Sequence, residues 1–364
     1  MLDRRTTLQP QFLANRNLAP LVYLHENETY LPADWASQLL HTVPGVNYTR
    51  VTSSPSPLTL DNLSALNSPN GTSVYLTATD DVSQDPSWLS GVKPDATGLT
   101  PNTVSSVIIT HDRGNNTLDA FYVYFYAFNL GDVVLDTYLG NHVGDIEHNM
   151  IRFVNATPTS IWYSQHTFGS AFTYAAAPKS SENPKRPVTY SANGTHANWA
   201  TIGSHEHLIP DLDLPDGPAL DYTSAGTLWD PTLSAYYYAV SFPPDADANA
   251  TNAAFTAYSQ PNGTSSFSSA YCVSFNNATS AGSEGGSCAG SAHIPVDFLY
   301  FLGQWGDKQY PKSDPRQVDF LDLGVEFKWT DGPNGVLFKG LNRKEVCPNN
   351  GDLCIVRDVI EPGD

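Results

Sequence analysis

The chain of 364 residues is long enough to bury a full hydrophobic core, and its length fits one large β domain or two smaller ones. Its 18 basic and 37 acidic residues give a formal charge of -19, which argues against a nucleic-acid backbone or an anionic membrane surface as a partner. Only 15% of the residues are charged, and the chain holds 19 tyrosines. This balance is typical of secreted proteins that handle glycans.

Strand signals dominate the chain. Runs rich in β-branched and aromatic residues alternate with turn residues at irregular intervals, which predicts separate strands rather than a repeat array. The predicted strands cover residues 20–24, 73–79, 105–110, 118–128, 160–165, 187–192 and 235–242. The sequence therefore predicts a mainly β protein with a β-sandwich-like core, a few peripheral helices and long loops.

Helix signals are few. Residues 33–43 follow Pro32 and carry apolar side chains at helical spacing, which predicts a helix. These side chains are Trp35, Leu39, Leu40 and Val43. Residues 295–305 are predicted to form a second, mostly buried helix. Residues 243–291 are rich in Ala, Ser, Asn and Gly and predict a disulfide-pinned insertion in a single β domain that spans residues 1–364.

Sequons and cysteines indicate passage through the secretory route. Sequons N-x-[ST] begin at Asn27, Asn47, Asn62, Asn70, Asn115, Asn155, Asn193, Asn249, Asn262 and Asn277. Short spacings favour the disulfides Cys272–Cys288 and Cys347–Cys354, although four cysteines allow three connectivities. The sequence contains no hydrophobic signal segment and no long apolar run. We expect the mature form of a secreted, monomeric protein with no transmembrane segment.

The run from Gly140 to His148 contains two carboxylates and two imidazoles within nine residues, and it is the clearest functional motif in the sequence. If Asp145 begins a strand, the alternation of side chains puts Asp145 and Glu147 on one face and His148 on the other. His142 precedes the pair on a Gly-flanked turn. Two carboxylates and one imidazole predict a site for a divalent cation, with calcium or magnesium favoured over manganese or zinc. A buried ion-pair cluster that stabilises the strand end is the structural alternative.

Two further histidines extend this site. His166 ends a predicted strand and His196 follows another, so a β scaffold would present both near strand ends. We expect them to join the carboxylates in one pocket, where His166, His196 and Glu147 are the candidate catalytic groups. A glycosidase would need another carboxylate, since side chains two apart on one strand lie side by side. Candidates for that partner are Glu206, Asp211 and Asp213.

The chain resembles the fungal vacuolar protein sorting-associated protein 62 family. The resemblance rests on the stretches NHVGDIEHNMIRF, YSQHTFG and RPVTYSANGTHANW. It extends to LAPLVYLHENETYLPADW near the N terminus and to FLGQWGDKQYP and GPNGVLFKGLNRKEVC near the C terminus, so that it covers nearly the whole chain. The family name implies vacuolar sorting and says little about chemistry. Taken with the sequons and cysteines, the resemblance implies a protein that is secreted or lies in the vacuolar lumen.

The chain is also distantly similar to the necrosis- and ethylene-inducing peptide-like proteins, which carry a GHRHDWE heptapeptide on a β-sandwich strand. In that resemblance His142, Asp145 and Glu147 match the first histidine and the acidic pair, and His166 and His196 match two downstream histidines. The matched family binds a divalent cation, recognises sphingolipid head-group sugars and causes lysis. The chain departs from the family's pattern at three positions. Gly144 replaces the second histidine, Ile146 replaces the tryptophan, and the upstream aspartate has Asp132 as its nearest counterpart with Asp136 behind it.

Three function classes follow from these residues. The first is a secreted, divalent-metal-dependent hydrolase that cleaves a glycoside or phosphodiester bond in a cell-wall or cell-surface glycan or glycolipid. The second is a non-catalytic, metal-dependent binder of glycans or sphingolipid head groups, with cytolysis as an outcome. The third is a wall-associated protein whose ion only stabilises the fold. No G-x-S-x-G, G-x-G-x-x-G or P-loop motif is present, which argues against a serine hydrolase and against nucleotide cofactors.

Overall fold

A computed structural model describes residues 16–134, 136–207, 219–258, 293–322, 324, 326–348, 353–361 and 363–364. The strands are β1 Leu21–Leu24, β2 Thr42–Val46, β3 Thr49–Arg50, β4 Tyr75–Ala78, β5 Ser106–Gly114, β6 Thr117–Asn129, β7 Asp132–Val134, β8 Thr137–Leu139, β9 His142–Val154, β10 Thr157–Gln165, β11 Phe168–Thr173, β12 Val188–Ser191, β13 Asn198–Trp199, β14 Gly203–His207, β15 Ala219–Thr223, β16 Leu228–Trp229, β17 Ala235–Ser241, β18 Ala254–Tyr258 and β19 Val356–Arg357. The α-helices are α1 Trp35–Leu40 and α2 Asn67–Asn70. Single 3-10 turns occupy Arg16–Leu18, Leu63–Leu66, Gly71–Ser73, Val82–Gln84, Ser87–Ser90, Pro231–Leu233, Asp297–Tyr300, Phe320–Asp322 and Val336–Phe338.

An eight-stranded sheet forms the centre of the molecule, in the order β18-β17-β5-β6-β9-β10-β11-β19. A four-stranded sheet, β13-β12-β1-β16, packs on one of its faces. Alternation along β6 separates two cores, because Tyr122 and Tyr124 face the small sheet while Phe121 and Val123 face the other side. The two facing sheets confirm the predicted β-sandwich-like core.

The opposite face of the large sheet is covered by short helical turns and extended chain. Trp35 of α1 stacks on Phe125, with ring centroids 4.4 Å apart, and meets the edge of Trp305 at 5.0 Å. These rings are fully buried. A second apolar layer therefore holds the C-terminal third of the chain against the sheet.

The predicted strands are confirmed, each by a strand that overlaps it. The predicted helix at 33–43 is shorter than expected. Asp34 caps it by accepting hydrogen bonds from two backbone N–H groups at 2.9 Å. It ends at Leu40, and it does not continue to Val43 because strand β2 begins at Thr42 and Pro44 disfavours a helical conformation at the residue before it. Leu40 is exposed rather than part of the apolar face.

The predicted helix at 295–305 is wrong, since only the single turn Asp297–Tyr300 forms there. The chain beyond it is extended because its backbone pairs with β4. The Gln304 N–H donates to the Val74 carbonyl at 2.8 Å, and the Leu76 N–H donates to the Gln304 carbonyl at 3.0 Å. Apolar residues in this stretch reach the core from an extended backbone.

The disulfide Cys347–Cys354 is confirmed, with its Cα atoms 5.5 Å apart. Cys272 and Cys288 lie outside the described residues. The start of the predicted insertion at 243–291 contains β18, which pairs with β17 as an edge strand, and its residues from 259 onward are also outside the described part. Within the described residues, no helix has the length and apolar character to cross a bilayer.

Candidate cation and ligand site

A cavity of about 390 Å³ lies beside the first half of β9. It unites five residues predicted from the sequence, namely Asp132, His142, Asp145, Glu147 and His166. They come from β7, from β9 and from the turn between β10 and β11. The predicted convergence of these residues is therefore present in the fold, although the positions are up to 34 residues apart in sequence.

The alternation along β9 places the acidic pair as the sequence predicts. Asp145 and Glu147 both line the cavity and are 5% and 7% exposed. His148 lies on the other face, where it accepts a hydrogen bond from Arg343 Nη2 at 2.9 Å and stacks on Phe121. His148 is thus part of the core and not of the cavity.

Gly144 shapes the start of β9. Its φ is +69°, and a Cβ atom built on it would lie 2.1 Å from the carbonyl oxygen of Trp305. A side chain here is excluded by both the backbone conformation and the neighbouring backbone. Gly144 therefore allows the close approach of the Trp305 backbone to β9.

His142 is held as a neutral imidazole. Its Nδ1–H donates to the Gly144 carbonyl at 2.6 Å, and because a carbonyl only accepts, the Nδ1 atom carries the proton. Burial lowers the pKa of His142 and outweighs the charge of Asp145, which favours the protonated form. The lone pair of Nε2 is then available to a ligand, which is the usual arrangement of a histidine that binds a metal.

The ionised form of Glu147 is favoured only in part, by the hydrogen bond from Ser164 and by the charges of Lys339 and His166. Ser164 Oγ donates to its carboxylate, and Ser164 in turn accepts from the His148 N–H at 2.8 Å. Within the described residues no basic side chain lies within ion-pair distance of Glu147. Burial, together with the nearby charge of Asp145, raises the pKa of Glu147 to about 7.

His196 lies behind the cavity instead of lining it. Its ring is fully buried, and it stacks on Tyr126 with ring centroids 3.7 Å apart. Nδ1–H donates to Asp145 Oδ2 at 2.8 Å, and Nε2–H donates to the Tyr30 carbonyl at 2.8 Å. Burial alone would lower the pKa of His196, but Glu28 and Asp145 outweigh it and raise the pKa to about 10.

Glu28 completes a row of buried charges that runs Glu28, His196, Asp145. The Glu28 carboxylate lies 3.8 Å from His196 Nε2 and accepts from the Gly194 N–H at 2.8 Å. It also accepts from the Tyr30 N–H at 2.8 Å. This row fixes the orientation of Asp145 through His196.

His166 is paired with the carboxylate of Asp221. Its Nε2–H donates to Asp221 Oδ2 at 3.0 Å, and Asp221 also accepts from Trp199 Nε1 at 3.1 Å and from the Thr195 hydroxyl. Burial would lower the pKa of His166, but Asp221 outweighs it and raises the pKa to about 9. His166 therefore presents a protonated ring at the cavity.

Sequence reasoning missed Glu28, Asp221 and Lys339. Lys339 lines the cavity, is half-buried, and donates to the Ile146 carbonyl. Burial lowers its pKa, against the effect of the nearby carboxylates. No local pattern marks these residues, because each reaches the site from a distant segment.

The other candidate carboxylates are not brought to the cavity. Asp136 lies exposed in the turn between β7 and β8, whereas Asp132 lines the cavity. Glu206 is exposed on β14. Asp211 and Asp213 lie outside the described residues.

The donor set fits a hard divalent cation, since carboxylate oxygens dominate and one neutral imidazole is added. Over the described ranges, no three His, Cys, Asp or Glu side chains already form a group that could hold a metal ion.

Comparison with known proteins places the chain in a family. The family model for vacuolar protein sorting-associated protein 62 matches residues 116–207, which contain most of the cavity residues. The putative vacuolar protein sorting-associated protein TDA6 of Saccharomyces cerevisiae is 32% identical over 367 aligned residues, 93% of this chain and 68% of that protein. The chain belongs to the vacuolar protein sorting-associated protein 62 family.

The yeast vacuolar protein sorting-associated protein 62 itself is 32% identical over 285 residues, covering 75% of this chain and 52% of that protein. The chain thus spans about two thirds of one relative in the family and half of the other. Among solved structures, NLPPya in complex with glucosamine aligns at 11% identity and a TM-score of 0.26, over 63% of this chain and 72% of that chain. Necrosis and Ethylene inducing Protein 2, from the causal agent of cocoa's Witches Broom disease, aligns at 11% identity and a TM-score of 0.25, over 52% and 67%.

Proposed function

We propose that the cavity binds a hydrated divalent cation, calcium or magnesium first, and through it a sugar-bearing ligand. The observation that carries this proposal is the buried pair Asp145 and Glu147 beside the neutral ring of His142. The charge of Asp145 and burial both disfavour the ionised form of Glu147, and a bound cation would lower that cost beyond what His196 and Lys339 already provide. Asp132 adds a further carboxylate to the same cavity.

The geometry supports binding over acid–base catalysis by His196. Both nitrogens of His196 already donate to protein acceptors, so this ring has no lone pair to take up a proton. We assign His196, with Glu28 behind it, the role of positioning Asp145. The cavity then supplies a fixed cation, carboxylate acceptors and the donors of Lys339 and His166, a mixture that suits the hydroxyl groups of a sugar.

Metal-assisted hydrolysis is the second candidate, and one arrangement favours it. His166 lines the cavity and is backed by the carboxylate of Asp221, as in sites where a carboxylate orients a general acid. When bound, a cation would polarise a substrate oxygen. The protonated His166 would hold a proton ready for the leaving group, and Glu147 would be the candidate base.

The family relationship and the chain's chemistry together favour a lumenal location. Its yeast relatives are named for vacuolar protein sorting. The disulfide Cys347–Cys354 and the ten sequons fit an oxidising compartment of the secretory route. We infer a vacuolar or extracellular protein that acts on glycans there.

Calorimetry on protein stripped with a chelator tests cation binding, with calcium, magnesium, manganese and zinc titrated separately. We expect Asp145→Asn and Glu147→Gln each to weaken binding at least about 10-fold. Asp132→Asn should weaken it as well, while Asp136→Asn, an exposed carboxylate on the same hairpin, serves as the matched control. Unchanged affinity in both β9 variants would refute the site.

Incubation of the cation-loaded protein with oligosaccharides, glycolipids and phosphodiesters separates the two candidates. Retention of a glycan without released product supports binding. Product release that His166→Gln abolishes while cation affinity is preserved supports hydrolysis.

A further inference from the structure

A second cavity, also of about 390 Å³, adjoins the first. Its walls come from the turn between β2 and β3, from residues 308–312, and from Phe327 and Asp331. Asp331 lines both cavities, so the two share a wall. The two cavities are therefore close enough for neighbouring units of one ligand to be tested in them.

Tyr48 occupies an unusual position at the rim of this cavity. It is the second residue of the two-residue turn that joins β2 to β3, and the φ angles of Asn47 and Tyr48 are +48° and +63°. Glycine is strongly favoured at that position, because a side chain strains the left-handed backbone. The Tyr48 ring is 60% exposed, so burial in a core does not explain its presence. Its hydroxyl donates to the Gln309 carbonyl at 2.6 Å, which holds the ring in place.

Lys308 lies next to this ring. Its Nζ is 5.8 Å from the centre of the Tyr48 ring and 5.4 Å from that of Tyr75. In the described part of the chain no carboxylate lies within ion-pair distance of Lys308, whereas Lys312 pairs with Asp319. The half-buried ammonium of Lys308 thus retains hydrogen-bond donors for another molecule.

Asp331 supplies fixed acceptors on the other side. One carboxylate oxygen accepts from the Gln309 N–H at 2.6 Å and the other from the Tyr75 hydroxyl at 3.1 Å. Each oxygen keeps a second lone pair, and the side chain is exposed. The cavity therefore offers an exposed aromatic face, a charged donor and a charged acceptor within one wall.

We propose that this second cavity is a subsite for one uncharged sugar unit, which packs its apolar ring face on Tyr48 and shares its hydroxyls between Lys308 and Asp331. An aromatic face with a separate donor and acceptor matches a sugar, whose hydroxyl groups both donate and accept. An anionic unit fits less well, because the carboxylate of Asp331 lines the same cavity. The inference rests on the proposed function of the first cavity, and it adds that the ligand has at least two sugar units.

Calorimetry with the calcium-loaded protein tests the subsite. The probes are glucose, mannose, galactose and N-acetylglucosamine, each with its di- and trisaccharide. For the sugar that binds, we expect the wild type to bind the disaccharide about 5- to 10-fold more tightly than the monosaccharide, the gain of one aromatic contact. Tyr48→Gly and Lys308→Gln should abolish this gain and leave monosaccharide affinity unchanged. Because glycine suits the turn, Tyr48→Gly keeps the fold, which circular dichroism verifies.

Lys344→Gln, which changes an exposed lysine elsewhere, should behave as the wild type. Equal affinity of the wild type for mono- and disaccharide would overturn the subsite while leaving the first cavity's function intact. An equal loss of affinity for the monosaccharide and the disaccharide in Tyr48→Gly would also overturn the subsite. If no sugar binds, both the subsite and the proposed sugar binding fail, and the separate cation titration shows whether the cation site stands.

Discussion

Replacement of Gly144 by alanine tests the geometry on which the site depends. The new Cβ atom would lie 2.1 Å from the Trp305 carbonyl oxygen and 3.1 Å from the carbonyl carbon, at a φ of +69°. The left-handed backbone costs an alanine roughly 1–2 kcal/mol, and overlap with a backbone that cannot move freely adds roughly 1–3 kcal/mol. We expect Gly144→Ala to lower the free energy of unfolding by about 2–5 kcal/mol.

Gly114 provides a matched control. It has a similar φ of +76°, but no atom lies within 4 Å of a Cβ built there. Gly114→Ala should therefore lower the free energy of unfolding only by the cost of the left-handed backbone, about 1–2 kcal/mol. Urea unfolding of both variants measures the difference, and calorimetry should show weaker cation binding in Gly144→Ala alone, because the Gly144 carbonyl anchors His142. Equal losses of stability in the two variants would refute the steric argument.

Two further predictions concern buried carboxylates. Glu28→Gln should weaken cation binding about 10-fold, because Glu28 orients His196 and so Asp145. Glu26→Gln, an exposed neighbour, is its control, and an identical calorimetric affinity in both variants would contradict the positioning role. Asp307 is buried, and its burial raises its pKa to about 6, against hydrogen bonds from the Ala78 N–H and the Tyr310 hydroxyl. Between about pH 4 and pH 6 the folded state then binds more protons than the unfolded state, so the stability that Asp307 contributes is lost as the pH rises through this window. Asp307→Asn removes the titration and should gain on the order of 3 kcal/mol over the wild type between pH 4 and pH 7, measured as the difference between their unfolding free energies. Parallel curves of unfolding free energy against pH for the wild type and Asp307→Asn would contradict this expectation.

Much of the β scaffold and part of the site follow from local pattern. Alternation along 145–148 predicts correctly that Asp145 and Glu147 share a face while His148 leaves it, because side-chain direction in a strand depends only on parity. Strand composition likewise predicts four strands of the large sheet, β5, β6, β10 and β17. The prediction of a helix at 295–305 is wrong because contacts with a distant segment, and not the local pattern, decide the backbone conformation there. The apolar residues of this segment fit a helical period. The backbone of Gln304 instead forms hydrogen bonds with Val74 and Leu76, and no local feature of the sequence predicts these bonds.

The sequence by itself determined the chemical inventory of this protein: a β-rich chain, an acidic pair on one strand face, a neighbouring histidine and a secretory composition. Only the tertiary structure decided which side chains meet. It brought Asp132 to the cavity and left Asp136 in solvent, buried His196 between Asp145 and Glu28, and delivered Lys339 from a segment almost 200 residues beyond β9. Residue type and parity are local properties of the chain. Contacts across such separations depend on how sheets and loops pack, and that is set by the sum of many distant interactions.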